Sequence, residues 1–339
     1  MRDILEQIGK WWGAGETFGL ATVVRTFSSA PRDPGAALAV SAGGEVVGSV
    51  SGGCVEGAVY ELAQEVLQSG QPVLQRYGVS DDTAFSVGLT CGGIIDIFVE
   101  PVSKELFPQL GDVAAAIRTG RPVAVTTVIA GPGRTGARQV IWGPSDVSVA
   151  DGTLGAGDRL DQAVDDDARG MLAQGLTAVR HYGAHGERRL DDLSVFVQSF
   201  APPPRMLVFG AIDFAAAVAR AGKFLGYNVI VCDARPIFAT NARFPDADEV
   251  IVEWPHRYLA RTPVDERTVI CVLTHDPKFD VPVLEVALRT PAGYIGAMGS
   301  RRTHSDRLDR LREAGMSEDE LARLRSTIGL DLGARTPEE

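Results

Sequence analysis

The sequence predicts an α/β protein in two parts: a C-terminal doubly wound parallel sheet, preceded by an N-terminal α+β domain with an internal duplication. Three observations lead there. Three consecutive prolines in SFAPPPRM (Ser199–Met206) fit neither a helix interior nor a central strand, so they mark a linker. Downstream of them, apolar strands alternate with helical segments. Upstream, one order of strands and helix occurs twice.

Those signals place an N-terminal domain over 1–200 and a C-terminal one over 201–339, with repeats over 15–101 and 118–200. GLATVV (Gly19–Val24) in the first repeat resembles PVAVTTV (Pro122–Val128) in the second. A helical stripe follows in each: Val55, Val59, Leu62 and Val66, then Leu160, Val164, Ala168 and Met171. Each helix leads to a short strand, LQRYG (Leu74–Gly78) or VRHYG (Val179–Gly183). Each repeat closes on an apolar strand, IIDIFVE (Ile94–Glu100) or LSVFVQS (Leu193–Ser199). The copies differ in chemistry, because Arg159 stands where the first has Cys54 and the second has no cysteine.

In the C-terminal domain, RMLVFG (Arg205–Gly210) predicts the first strand. A helix with Phe214, Val218, Ala221 and Leu225 on its inner face follows. YNVIVCD (Tyr227–Asp233), EVIVE (Glu249–Glu253), TVICVLT (Thr268–Thr274) and AGYIGAMG (Ala292–Gly299) supply further buried strands, and their alternation with helices predicts a parallel sheet.

Bulk properties exclude several functions. A net charge of −11 argues against nonspecific nucleic-acid binding. No apolar run approaches the ~20 residues of a membrane helix. The opening MRDILEQIGKWW lacks the pattern of a signal peptide, so a cytoplasmic protein is expected. The four cysteines form no CxxC pair, which argues against a zinc ribbon or a disulfide framework.

Candidate chemistry concentrates at glycine turns and arginines. Gly210 fits the first position of a dinucleotide fingerprint and Ala215 the third, while Asp233 stands where a ribose-binding acid would sit. The β-branched Ile212 occupies the second position, where glycine should admit the pyrophosphate, so NAD(P) is disfavoured. Asp213 at the helix start would also repel a phosphate. In GSRRTHSDR (Gly299–Arg307), Gly299 ends a strand and Ser300 can cap a helix that carries Arg301 and Arg302, an anion site in outline. THDPKFD (Thr274–Asp280) offers His275 as a proton carrier and Lys278 as a phosphate ligand. The plainer reading makes Asp276 and Pro277 a turn and Asp280 a helix cap. Arg235 and Arg243 fall near the same edge. In SGGCVE (Ser51–Glu56), Gly52 and Gly53 precede Cys54 just before a helix, where the dipole would favour a thiolate. Cys91 sits in TCGG (Thr90–Gly93). A metal-facing or sulfur-carrying role and a plain turn cysteine both remain open for these two, whereas Cys232 and Cys271 read as core.

Long motifs in order then match a known family. SSAPRDPGAALAV (Ser28–Val40), GSVSGGCVEG (Gly48–Gly57), CGGIIDIFVEP (Cys91–Pro101), VCDARPIFATNARFP (Val231–Pro245), LTHDPKFD (Leu273–Asp280), YIGAMGSRRTH (Tyr294–His304) and IGLDLGARTPEE (Ile328–Glu339) together resemble the xanthine dehydrogenase accessory factor family, XdhC/CoxI. The resemblance implies a Rossmann-like C-terminal domain and a cofactor chaperone rather than a catalyst. It implies binding, protection and delivery of molybdenum cofactor to a molybdenum hydroxylase apo-enzyme, with a homodimer and a cysteine desulfurase partner as further expectations. It adds Arg32 to the cofactor-binding candidates and makes the cofactor's molybdenum the metal that Cys54 would face. Where the family reads close to GAGHVA this chain has GAIDFA (Gly210–Ala215), which weakens any nucleotide or metal role the resemblance would give that loop, though Gly210 stays among the cofactor-binding candidates. A closing helix usually follows where this sequence ends. An NAD(P)-dependent oxidoreductase is the alternative, and a scaffold that binds only the partner enzyme is a third reading.

Overall fold

The structure, a computed structural model, describes residues 1–28, 30–78, 93–143, 150–330, 333 and 336–338. Two compact units divide the chain, Met1–Pro202 and Pro203–Glu339.

The first unit is built from one element order used twice. Its first half runs α1 (Leu5–Ala14), β1 (Phe18–Phe27), β2 (Ala37–Ser41), β3 (Val46–Gly48), α2 (Glu56–Ser69), β4 (Val73–Tyr77) and β5 (Ile94–Val102). The second half runs α3 (Leu110–Arg118), β6 (Val123–Ala130), β7 (Arg138–Trp142), β8 (Asp151–Thr153), α4 (Asp158–Gln174), β9 (Ala178–Tyr182) and β10 (Leu193–Phe200). Each half forms an antiparallel five-stranded sheet, ordered β3-β2-β1-β5-β4 and β8-β7-β6-β10-β9. Even the irregularities repeat. The Gly35 amide donates to the Val23 carbonyl and the Gly136 amide to Val128, each at 2.8 Å, at matching turns. Duplication is therefore the architecture of this unit. Between the halves, Val24, Phe98, Ile129 and Phe196 form a shared apolar cluster, two residues from each copy.

Helix α2 buries Val59, Ala63 and Val66 on its sheet. Helix α4 buries Leu160, Val164, Ala168 and Leu172, so its stripe ends on Leu172 rather than Met171, which is only partly buried.

The second unit carries a six-stranded parallel sheet. It contains β11 (Arg205–Phe209), α5 (Asp213–Phe224), β12 (Asn228–Asp233), β13 (Glu249–Val252), α6 (Pro255–Arg261), β14 (Val269–Val272), α7 (Pro277–Ala287), β15 (Tyr294–Ala297), α8 (Arg301–Glu313), α9 (Glu318–Leu321) and β16 (Leu324–Arg325). The order β13-β12-β11-β14-β15-β16 puts the reversal of winding between β11 and β14. In such sheets ligands lie beyond the carboxyl ends of the strands near that point.

The inner face of α5 corrects the sequence expectation. Phe214 and Leu225 are exposed, and Ala215, Ala219 and Gly222 are the buried residues. The helix lies so close to the sheet that a Cβ on Gly222 would come within 2.7 Å of the Met206 sulfur. Small residues win that face because only they permit the approach. Two-residue β16 was invisible in sequence, being too short to show alternation. Among the described residues no helix is long and apolar enough to cross a membrane.

Candidate functional site

In the first unit the glycine–cysteine loop is organised by an acid. Helix α2 starts at Glu56, and its carboxylate reaches back into the loop. It accepts from the Ser49 hydroxyl at 2.7 Å, the Ser51 hydroxyl at 2.5 Å, and the amides of Val50, Ser51, Gly53 and Val55 at 2.8–3.2 Å. Burial alone would raise its pKa, but the bonds from Ser51 and Ser49 outweigh it and pull the group down to about 2. The positive helix end that could have favoured a Cys54 thiolate is thus already answered by a carboxylate. Cys54 is half-buried, packs against the α2 core and forms no disulfide. Gly52 and Gly53 are exposed at φ +75° and +120°, with nothing within 4 Å of a would-be Cβ. They open this loop's backbone to an approaching ligand. Cys91 lies outside the described residues.

Arg32 lies elsewhere in that unit, on a groove of about 800 Å³ that also takes in Asp33, Thr177 and Gln198. Its guanidinium pairs with Asp3 at 3.2 Å. The duplication supplies a second groove of about 380 Å³, lined by Gly136, Glu100 and Arg138. The two correspond part by part. Gly35 and Gln198 in one stand where Gly136 and Glu100 stand in the other; Gln198 donates to the Gly35 carbonyl at 3.1 Å, whereas Glu100 is engaged by Arg138. In the smaller groove the buried pair Arg138–Glu100 forms part of the wall, and Arg138 also stacks 4.3 Å over the Phe107 ring. Burial pushes the Glu100 carboxyl up, against the pull of Arg138.

In the second unit the candidates gather along the carboxyl edge of the parallel sheet. Gly210 ends β11 at φ +113°, and a Cβ there would sit 2.9 Å from Thr274. That contact brings the loops after β11 and β14 together. Asp233 ends β12 almost fully buried, and its carboxylate is occupied. It accepts from the Ala211 amide at 2.7 Å, from the Arg235 amide at 2.9 Å, and from the Arg235 guanidinium at 2.8 and 2.9 Å. Burial would raise its pKa, yet these bonds hold it below the usual carboxylate range. A ribose would have to displace Arg235 to reach it. Ile212 is extended as the residue before α5, and exposed Asp213 pairs with Arg243 at 3.2 Å.

After β14, Asp276 caps α7 by accepting from the Lys278 amide, and the Lys278 ammonium returns to Asp276 at 2.9 Å. Asp280 is not the cap. It is buried, accepts from the Thr274 hydroxyl, and pairs with buried Arg307 at 2.9 Å. The sequence missed Arg307 and Asp280 as a pair. The available signal was a charged residue four positions before Leu311, on the stripe that α8 turns inward. His275 is exposed beside this pair.

After β15, Gly299 at φ +150° leads to Ser300, whose hydroxyl accepts from the Thr303 amide at 3.1 Å and caps α8. Arg301 and Arg302 follow, exposed and without an ion-pair or hydrogen-bond partner among the described residues. Two free guanidinium groups at the start of a 13-residue helix make this edge receptive to an anion. Among the described residues no cluster of three His, Cys, Asp or Glu side chains could hold a bare metal ion.

A model of the XdhC and CoxI family matches residues 11–78 and again 116–183, and a model of the XdhC Rossmann domain matches 206–339. The chain belongs to the XdhC and CoxI family. The double match falls on the two halves of the duplicated unit. Among family relatives, a probable xanthine dehydrogenase subunit from Bacillus subtilis is 27% identical over 338 residues, covering 94% of this chain and 88% of the relative. The molybdenum cofactor insertion chaperone PaoD of Escherichia coli is 27% identical over 323 residues, covering 95% and 79%. A crystal structure described as a xanthine dehydrogenase from Bacillus halodurans superimposes with a TM-score of 0.68 at 26% identity, covering 99% of this chain and 91% of that one.

Proposed function

We propose that this chain is a maturation factor for a molybdenum hydroxylase of the xanthine or carbon monoxide dehydrogenase type, which binds molybdenum cofactor, shields it and passes it to the apo-enzyme. The observation that carries the reading is the exposed Arg301–Arg302 pair, without a partner among the described residues, at the capped start of α8 on the carboxyl edge of the sheet, where such folds hold ligands. Family membership and the likeness to PaoD, named as an insertion chaperone, support it.

The cofactor is a pterin carrying a dithiolene-bound metal and a phosphate or nucleotide end, so it asks for an anion cradle and a soft donor. Each unit offers a group of one such kind. In the second unit, Ser300, Arg301 and Arg302 would hold the phosphate end. In the first unit, half-buried Cys54 on its open glycine loop is a soft donor of the type that binds such metals or carries sulfur. When bound, the cofactor supplies the redox-active molybdenum that the partner enzyme uses.

Anaerobic mixing with molybdenum cofactor, gel filtration and metal analysis test the reading. Molybdenum and pterin are expected to co-elute with the chain, and to be lost from an Arg301→Ala/Arg302→Ala variant. Their absence from the wild-type peak overturns it. The NAD(P)-dependent oxidoreductase alternative is disfavoured by Asp233, whose acceptor positions are taken by Arg235 and the Ala211 amide.

A further inference from the structure

Between α7 and α8 lies a cavity of about 100 Å³, lined among others by His275, Asp280, Thr303, Asp306, Arg307 and Arg310. Its inner wall holds Arg307, whose side chain is only 2% exposed. One amino group of that guanidinium, Nη2, serves Asp280 and the Met298 carbonyl at 2.9 and 2.8 Å. The other two nitrogens, Nε and Nη1, are buried without an acceptor among the described residues. Leaving charged N–H groups unanswered in a protein interior is costly, and native chains rarely do so without an occupant to satisfy them.

Three more side chains that can donate line the same space. Arg310 lies on the same face of α8, one turn beyond Arg307, and has no partner among the described residues. His275, from the loop after β14, has none either. Thr303, one turn before Arg307, shares a hydrogen bond with Ser300 at 2.9 Å and can turn its proton inward. Two carboxylates line the cavity as well. Asp280 is spent on Arg307 and Thr274, and Asp306 is exposed on α8 without a partner among the described residues. Formal charges roughly balance, so what distinguishes the cavity is an excess of N–H donors over acceptors. Its volume is several times what one water needs.

We infer that this cavity is a binding site for a tetrahedral oxyanion, a phosphate or phosphate monoester, with Arg307 as its buried donor. The inference stands apart from the proposed function: Arg301 and Arg302, which that reading gives to the cofactor's phosphate end, do not line this cavity. The buried guanidinium anchors the oxyanion from within, Arg310 and Thr303 close on it from α8, and His275 from the opposite loop. Asp280 holds the Arg307 plane in register and offsets its charge.

Inorganic phosphate is the probe, titrated into the full chain and followed by calorimetry and by ¹⁵N spectra of the arginine Nε groups. Saturable binding at one site per chain is expected, with the Arg307 Nε signal shifting. Arg310→Ala should weaken it roughly ten- to hundredfold, the range for losing one charge-assisted hydrogen bond. Arg307→Lys keeps the charge beside Asp280 but loses both unanswered nitrogens, and it should abolish binding in a chain whose circular dichroism is unchanged. Asp306→Asn should tighten binding, the opposite sign. If Arg307→Lys does not fold, Arg310→Ala and Asp306→Asn carry the test. Glycerol phosphate competing with phosphate marks a monoester site, and failure to compete marks a free-oxyanion site. No saturable phosphate binding, or binding indifferent to Arg310 and Asp306, means that the cavity holds water only and overturns the inference. The proposed function would still stand or fall separately on molybdenum co-elution.

Discussion

Replacing Glu56 by glutamine tests whether one carboxylate builds the loop that presents Cys54. The carboxylate accepts six hydrogen bonds, from Ser49, Val50, Gly53, Val55 and twice from Ser51. Its pKa falls from 4.5 to about 2. At about 1.4 kcal/mol per unit that is roughly 3 kcal/mol, and water around a part-exposed group reduces it to about 1–2 kcal/mol. A glutamine also turns an NH2 toward amides that need an acceptor. For a unit of this size the expected drop in Tm at neutral pH is roughly 3–6 °C. The sign with pH follows from linkage. A depressed carboxylate pKa stabilises fully above the unfolded value and loses that contribution as pH falls toward the folded value. Calorimetry of both chains should therefore show the gap at pH ~7 and its closure on approaching pH ~2–3. Cys54 alkylation in a Cys91→Ser background should speed up in the variant as the loop loosens. Equal Tm values at neutral pH, or a gap that does not narrow in acid, would refute the reasoning.

Three further outcomes follow from the geometry. Glu100→Gln leaves buried Arg138 without its counter-charge and should cost about 3–5 kcal/mol by urea denaturation, whereas Glu100→Leu with Arg138→Met should cost far less; equal costs would remove the pairing argument. With Cys91 replaced by serine, a maleimide should label Cys54 in the native chain and spare Cys232 and Cys271. Burial, aided at Cys232 by the Glu253 and Asp233 carboxylates, pushes both thiols up to about 12, so labelling of either before Cys54 would contradict the structure. NADH fluorescence titration should show no binding to the wild-type chain. Arg235→Ala, which uncovers Asp233, should bring measurable affinity if occupancy of that acid is what excludes the ribose; tight wild-type binding would revive the dehydrogenase reading.

What the linear sequence determined was periodicity and punctuation. The apolar strands of the second unit, the two amphipathic helices of the duplicated unit and the Ser300 cap all depend on residues a few positions apart, so their pattern is visible in the chain itself. The duplication showed because each copy kept the same order of such local signals. Tertiary structure decided everything that depends on residues far apart in number. It turned the small face of α5 inward, because the distance between helix and sheet, not hydrophobicity, set what could fit beside Met206. It spent Asp233 on Arg235 and Glu56 on the cysteine loop, and it joined Asp280 to Arg307 across 27 residues. A charged side chain looks equally available anywhere in a sequence. Only packing fixes which partner reaches it, and hence which donors remain free for a ligand.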